Sequence, residues 1–172
     1  MAVRPIRLFG DPVLRTPAQP LTSFDAELRA LIRDLVDTTA AEPGRAAVAA
    51  PQIGVGVRAF AYAVAAGSGH LVNPSIAATS GEQDGEEGCL SLPGLAYPTR
   101  RALHVTATGF DQYGEPVTVV ASGFLARALL HETDHLDGVL YLDRLFGDAR
   151  RQALRAVRAA SWAQRPRRGP AA

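Results

Sequence analysis

The stretch His131-Glu132-Thr133-Asp134-His135 is the most informative in the chain, because it indicates a chemical site on a helix. Positions four apart share one face of a helix, so His131 and His135 can offer two imidazole nitrogens to one metal ion. Glu132 lies one step round the helix, where it can move protons but is poorly placed as a third ligand. The pattern indicates a hydrolytic metal site, and a chance match on a solvated helix is the alternative.

A second segment, Glu87-Gly88-Cys89-Leu90-Ser91, supplies a further candidate ligand. Cys89 is the only cysteine, so an intramolecular disulfide is excluded. A thiolate and two imidazoles leave one coordination position for water, as in catalytic zinc sites, whereas structural zinc sites close with four protein ligands. A closed Cys2His2 set is excluded by the single cysteine. Burial as a small hydrophobe is the alternative for Cys89.

Two further features of the sequence have more than one interpretation. His70 and His104 are possible fourth ligands, and nothing in their spacing favours either. Residues 48–54 read VAAPQIG and contain one amide side chain, Gln52, which alone could be an ordinary polar loop residue. The run from Arg45 to Val48 before it could form a backbone edge close to a ligand.

Together the three segments resemble the peptide deformylase family. Its members carry Gly-x-Gly-x-Ala-Ala-x-Gln, Glu-Gly-Cys-x-Ser and His-Glu-x-Asp-His motifs in this order, and the resemblance here covers about residues 7–145. The second and third motifs are specific. The first is degenerate, because the two family glycines fall on Arg45 and Ala47; Gly44 could serve as the first glycine only with one residue inserted. Leu130 stands where the family commonly has glutamine.

The resemblance implies a reaction: removal of the formyl group from the N-terminal methionine of new polypeptides, with release of formate. It implies that Cys89, His131 and His135 hold one divalent metal ion, which in the family is usually Fe²⁺ and can be Zn²⁺, Ni²⁺ or Co²⁺. Glu132 would take the proton of the attacking water and pass it to the leaving amine.

The resemblance also assigns the groups that would contact the substrate. The Gln52 amide and the Leu90 backbone N–H would donate to the developing oxyanion. An extended peptide would bind along backbone edges at Ala46 and Ala47 on one side and at Gly88 on the other.

Three further side chains near the motifs have open roles. Phe124 and Ala128 could line a pocket for methionine, and core packing is an equal alternative for both. Asp134 could orient a ligating imidazole, although a plain surface carboxylate is as good an explanation.

The pattern of apolar residues predicts the elements around these motifs. A helix is expected from about Phe24 to Thr39, capped by Ser23, and the metal-site helix from Gly123 to Gly138. Strands are expected at 59–64, 70–76, 104–110 and 116–120, the last two as a hairpin. The result is one α+β domain: antiparallel β-sheets packed around a central helix with the His-Glu motif, plus an N-terminal and a C-terminal helix.

The C-terminal region is basic. Residues 1–147 are expected to form the catalytic domain, and 148–172 a basic helix (148 to about 164) and tail, part of the same domain or frayed. The arginines in this region are Arg150, Arg151, Arg155, Arg158, Arg165, Arg167 and Arg168. Such a run usually forms a solvated face. Because members of the family act at the ribosome, the sharper hypothesis is contact with ribosomal RNA phosphate.

Composition narrows the remaining function classes. With 172 residues, 47% apolar, and a net charge of +1, the chain can bury a core but offers no broad basic platform for DNA. There is no apolar run long enough for a membrane span and no secretory signal, and the lone cysteine favours the cytoplasm.

Three functional hypotheses follow. The leading one is an active peptide deformylase acting on N-formylmethionyl nascent peptides. The second is a metal-dependent amidase of the same fold that acts on other N-acyl groups. The third is a ribosome-associated binding protein whose metal is only structural.

Overall fold

Seven strands form two antiparallel sheets in the computed structural model, which describes residues 2–163. Five strands make the larger sheet in the order β1-β2-β3-β6-β7, and β4 pairs with β5 in a small second sheet. In chain order the strands are β1 (Ala47–Ala49), β2 (Ala59–Val64), β3 (Gly67–Ser80), β4 (Glu86–Gly88), β5 (Ala96–Pro98), β6 (His104–Phe110) and β7 (Pro116–Ser122). The four predicted strands are found as β2, β3, β6 and β7, but β3 extends beyond the predicted 70–76 at both ends and β7 extends beyond 120. The sequence pattern does not predict the three-residue strands β1, β4 and β5.

The larger sheet is covered on both faces at β2. Phe60 of β2 packs in the cluster that contains α2 (Gly123–Leu136), whereas Ala59 and Ala61 pack in the cluster that contains α1 (Ala26–Ala40). Successive side chains of a strand point to opposite faces, so a strand buried on both sides must be apolar at nearly every position. The central helix and the flanking N-terminal helix confirm the predicted α+β class.

Helix α1 begins at a different cap from the one predicted. The Asp25 carboxylate, not the Ser23 hydroxyl, accepts hydrogen bonds from the N–H groups of Glu27 and Leu28, both at 3.0 Å. A side-chain acceptor at this position satisfies N–H groups that the first turn leaves without partners. The apolar residues of α1 are not all buried, because Val36 remains 44% exposed.

Helix α2 starts at Gly123, as predicted, and ends at Leu136, two residues earlier than expected. Its C-terminal end is fixed by the N-terminal segment, since the Ala18 N–H donates to the Leu136 carbonyl at 2.8 Å. Gly138, in the left-handed region with φ +72°, passes so close to the Arg15 carbonyl that an added Cβ would lie 2.8 Å from its oxygen. The chain that leaves α2 is therefore held against the chain that precedes α1.

Helix α3 (Gly147–Ala159) is five residues shorter at its end than predicted. Ala153 and Val157 are buried in a cluster with Leu92 and Tyr141. The arginines Arg150, Arg151, Arg155 and Arg158 lie on its exposed side. Arg165, Arg167 and Arg168 lie outside the described residues. Within residues 2–163 there is no helix that is both long and apolar enough to cross a membrane.

Candidate active site

The cysteine and the two histidines meet although they come from distant parts of the chain. Their ligand atoms all lie within 4.8 Å of one another, and the Cys89 Sγ is 3.2 Å from the His135 Nε2. Within residues 2–163 no other cluster of three or more such side chains has this geometry. A thiolate and two imidazoles at this separation suit a borderline-soft divalent ion such as Zn²⁺ or Fe²⁺.

A buried carboxylate orients one of the imidazoles. The Glu87 Oε1 is 2.7 Å from the His131 Nδ1, which leaves the Nε2 of that ring for a metal. Arg101 donates to both oxygens of Glu87, at 2.6 and 2.9 Å, and Arg127 donates to one at 2.9 Å. Burial alone would raise the pKa of Glu87, but the bonds from Arg101 and His131 outweigh it and hold the pKa at about 2. Glu87 is therefore ionised at neutral pH.

Asp134 has neither of the roles expected for it. Its side chain is buried, so it is not a surface carboxylate, and among the described residues it hydrogen-bonds no imidazole. Instead it accepts from Arg101 at 2.7 Å and from Arg144 at 2.6 Å. It thus holds the guanidinium that in turn holds Glu87.

Glu132 is enclosed in the same region. Its side chain is buried, and its Oε2 has no hydrogen-bond partner among residues 2–163. Burial, together with the negative charges of Glu87 and Asp134, raises the pKa of Glu132 to about 7. A carboxyl group with a pKa near neutrality and one free oxygen is suited to accept a proton and give it back.

Gln52 connects the first motif to the cysteine. Its Oε1 accepts from the Ala49 N–H at 2.9 Å, which directs the Nε2 towards the Cys89 Sγ at 3.6 Å and the Ser91 hydroxyl at 3.4 Å. The Leu90 N–H has no partner within the described part of the chain. Two N–H donors thus lie beside the cysteine, on a three-ten turn (Ala50–Ile53) and on the chain after β4.

A cavity of about 840 Å³ opens onto this cluster. The residues predicted to contact the substrate or act in catalysis all line it: Ala46, Ala47, Gln52, Gly88, Leu90 and Glu132. Cys89 and His131 line it too, whereas His135 lies deeper. Phe124 and Ala128 also line the cavity, and Phe124 is largely exposed, so the core-packing alternative does not hold for Phe124.

The two remaining histidines lie elsewhere. The His70 Nε2 accepts from the Gln112 backbone N–H at 3.1 Å, and His104 lines a smaller cavity at the outer end of the sheet. Neither belongs to the ligand cluster, so neither can close the site as a fourth ligand.

Sequence reasoning missed the roles of three residues, Glu87, Arg101 and Arg127. One of them had a usable signal: Arg127 is four residues before His131, so the two share a face of α2. A charged residue on the buried face of a helix needs a partner. Arg101 had no such signal, because its contact with Glu87 depends on how β4 and β5 pair.

The fold, and the cysteine–histidine cluster beside a cavity, indicate a class of protein: hydrolases that depend on a bound metal ion. The sequence model of the polypeptide deformylase family matches residues 3–151. A peptide deformylase from Acidothermus cellulolyticus is 60% identical over 163 residues, which cover 95% of this chain and 90% of that protein. Peptide deformylase 2 from Streptomyces coelicolor is 47% identical, with 93% of this chain and 92% of that protein covered.

Solved structures agree. The crystal structure of peptide deformylase from Thermus thermophilus superimposes with a TM-score of 0.86 at 39% identity and covers 91% of this chain and 94% of that one. The Synechococcus elongatus enzyme in complex with actinonin gives a TM-score of 0.82 at 34% identity, with 96% of both chains covered.

The chain belongs to the polypeptide deformylase family. It is a hydrolase that removes the formyl group from the N-terminal methionine of polypeptides. The family is metal-dependent, and the Cys/His cluster is a possible metal site. An amidase for other N-acyl groups is not favoured by these relatives.

The Glu87 carboxylate generates a prediction about acid stability. Its folded pKa of about 2 lies below the usual 4.5, so its contribution to stability is complete above pH 4.5 and is lost as the pH falls towards 2. In protein stripped of metal with a chelator, the wild type should lose its stability advantage over Glu87→Gln, on the order of 3 kcal/mol, across this window. Urea unfolding from pH 6 to pH 2 measures it. A difference that stays constant with pH would contradict the pairing described here.

Proposed function

We propose that Cys89, His131 and His135 hold the catalytic metal ion of this deformylase. The supporting observation is the convergence of one thiol and two imidazoles within 4.8 Å beside a peptide-sized cavity. Three protein ligands leave a coordination position free, which is the arrangement of catalytic sites. When bound, the metal would supply Lewis-acid activation of the water that attacks the formyl carbon.

Glu132 is the proposed proton carrier. It lies in the wall of the cavity with an unpartnered oxygen and a pKa raised to about 7 by burial. It takes the proton from the attacking water and delivers it to the methionine nitrogen as the C–N bond breaks. Formate and a free amine leave, and the carboxylate is restored for the next turnover.

Gln52 and Leu90 are the proposed oxyanion donors. The Gln52 amide nitrogen is directed towards the cysteine because the Ala49 N–H occupies the amide oxygen. The Leu90 N–H has no partner among residues 2–163, so it is free to donate to the developing oxyanion. Fixed donors of this kind stabilise developing charge without having to reorganise during the reaction.

The substrate is proposed to bind as an extended strand. β1 is a terminal strand of its sheet, so one side of its backbone has no neighbouring strand, and Ala46 and Ala47 line the cavity there. Gly88, at the end of β4, also lines the cavity and is proposed to contact the other side of the peptide. Backbone contacts of this kind read a peptide without regard to its sequence. The Phe124 and Ala128 side chains are proposed to contact the methionine.

Fe²⁺ is the proposed physiological metal, with Zn²⁺, Ni²⁺ or Co²⁺ as substitutes that the same three ligands can hold. The substrate class, newly synthesised polypeptides, supports the cytoplasm as the place of action. Residues 1–147 are proposed as the catalytic domain, with α3 as part of the same domain because Ala153 and Val157 pack on it. The basic tail is proposed to contact ribosomal RNA.

Replacing Glu132 by glutamine should abolish turnover and preserve the metal, because an amide keeps the shape of the side chain but cannot carry the proton. The rate of formate release from a formyl-methionyl peptide should fall by about 10²-fold or more, while metal analysis of the same anaerobic sample stays at the wild-type value. Glu115→Gln, which changes an exposed glutamate of the β6–β7 hairpin, is the matched control. Near-normal rates in Glu132→Gln would remove Glu132 from the mechanism.

Replacing Cys89 by serine should weaken metal binding, because a hydroxyl is a far poorer anionic ligand than a thiolate at neutral pH. Metal content after dialysis against a weak chelator should drop well below that of the wild type. His104→Ala, which changes a histidine outside the ligand cluster, should keep the wild-type metal content. Full metal retention in Cys89→Ser would show that Cys89 is merely packed.

Cutting the chain after Ala163 should weaken ribosome co-sedimentation, and the loss should be largest at low salt because phosphate contacts are screened. A cut at residue 147 would be uninformative, since it removes α3 and uncovers the cluster around Tyr141. Formate release should be unchanged by the cut after Ala163. Equal co-sedimentation of the full and shortened chains across a salt series would refute the ribosome contact.

A further inference from the structure

Arg45 occupies a position where the family motif has glycine, and its side chain does not extend into solvent. The guanidinium reaches back to helix α1, where its Nη1 donates to the Thr38 carbonyl at 2.9 Å. Its Nη2 lies 2.8 Å from the Glu42 carboxylate, and only 12% of the side chain is exposed. The contact with Thr38 is a cationic cap on the last turn of α1, where the Thr38 carbonyl otherwise accepts a long bond from the Ala41 N–H at 3.4 Å.

The contact between Arg45 and Thr38 lies close to the first residue of β1, the strand proposed to bind the substrate. Arg45 is followed by Ala46, whose carbonyl accepts from the Ala63 N–H at 2.8 Å, and then by β1. The inner edge of this stretch is bonded to β2, and the outer edge faces the cavity. Whatever fixes Arg45 therefore fixes where the outer edge begins.

Little else ties down the chain before β1. Residues 41–44 are exposed, and Gly44 turns in the left-handed region at φ +89° with nothing within 4 Å of an added Cβ. The Arg45 N–H bonds only within the same turn, to the Glu42 carbonyl at 3.3 Å. The Nε of Arg45 is buried without a partner among the described residues, so the side chain is retained there despite an unsatisfied donor.

The opposite end of β1 belongs to the chemistry. Ala49, its last residue, is bonded to Gln52, and Gln52 contacts Cys89. With the substrate bound as proposed, the formyl group would lie towards Ala49, and the substrate residues that follow methionine would lie towards Ala46 and Arg45. A change at Arg45 should affect those following residues and leave the reacting end in place.

We infer that Arg45 is a positioning residue for the substrate backbone: it ties the start of the β1 edge to α1, so that the edge is preformed for the residues after methionine. This inference rests on the proposed binding of substrate along β1. A preformed edge lowers KM because less of the enzyme must be ordered at the moment of binding. Arg45 also lines the cavity, but its guanidinium is held at α1 by the bond to the Thr38 carbonyl.

Peptide length provides the test. For each enzyme, kcat/KM is measured with formyl-methionine amide and with formyl-Met-Ala-Ser, and the ratio reports the benefit of the added residues. Arg45→Ala should lower this ratio by about fivefold to tenfold, through KM with kcat preserved. Arg45→Lys, which can still place one donor near the Thr38 carbonyl, should recover part of it.

Arg4→Ala is the matched control. Arg4 is bonded to Asp34 of α1 at 2.8 Å, so this variant removes another guanidinium from the same helix without touching β1. It should keep the wild-type ratio. Circular dichroism and thermal unfolding verify that each variant is folded.

The possible outcomes distinguish a failure of the proposed binding along β1 from a failure of the role of Arg45. A wild-type enzyme that gains nothing from the longer peptide would overturn the proposed binding along β1. A wild-type gain that persists unchanged in Arg45→Ala, or an equal loss on both substrates through kcat, would overturn the role of Arg45 alone.

Discussion

The buried Glu87 carboxylate is the constraint on which the rest of this site depends. It is bonded to Arg101, which follows β5, and to Arg127 and His131, which lie on α2. A buried charge is costly unless its partners are well placed, so this group forces the small sheet and the central helix into one relative position. Cys89 follows two residues later on the same chain and is thereby carried to the histidines. The arrangement of the ligands is thus a consequence of pairing charges in the interior.

Strands can be predicted from the sequence where polar and apolar residues alternate over several positions. The bounds of β6 are predicted to the residue because HVTATGF alternates buried and open positions over most of its length. β1, β4 and β5 cannot be found in this way, since three residues are too few to show a period and their strand character comes from their neighbours. The predicted α1 cap is wrong because Ser23 and Asp25 are both good caps, and the helix begins at Ala26, directly after Asp25.

The candidate site shows the same division. The sequence motifs alone group Cys89, His131 and His135, because a helix fixes the two histidines and the cysteine motif is specific. Both expectations for Asp134 are wrong. Its partner Arg101 is distant in sequence, and its partner Arg144 lies beyond the end of α2, so no local pattern indicates either contact. The pairing of Glu87 with Arg101 requires knowledge of the β4–β5 register. Contacts that follow from spacing along one helix can thus be predicted from the sequence. The charge pairs between distant segments that support the site cannot.

The short length of β1 limits which other proteins can bind to this open sheet edge in a cell. An open sheet edge is a hazard, because any partly unfolded protein can add a strand to it and aggregate. At three residues, this edge is too short to hold an internal segment of a folded or misfolded chain. With the substrate bound as proposed, a free chain end would also enter the adjoining cavity and gain the additional contact that holds it there. The enzyme would then engage the beginnings of unfinished proteins and leave their internal segments unbound.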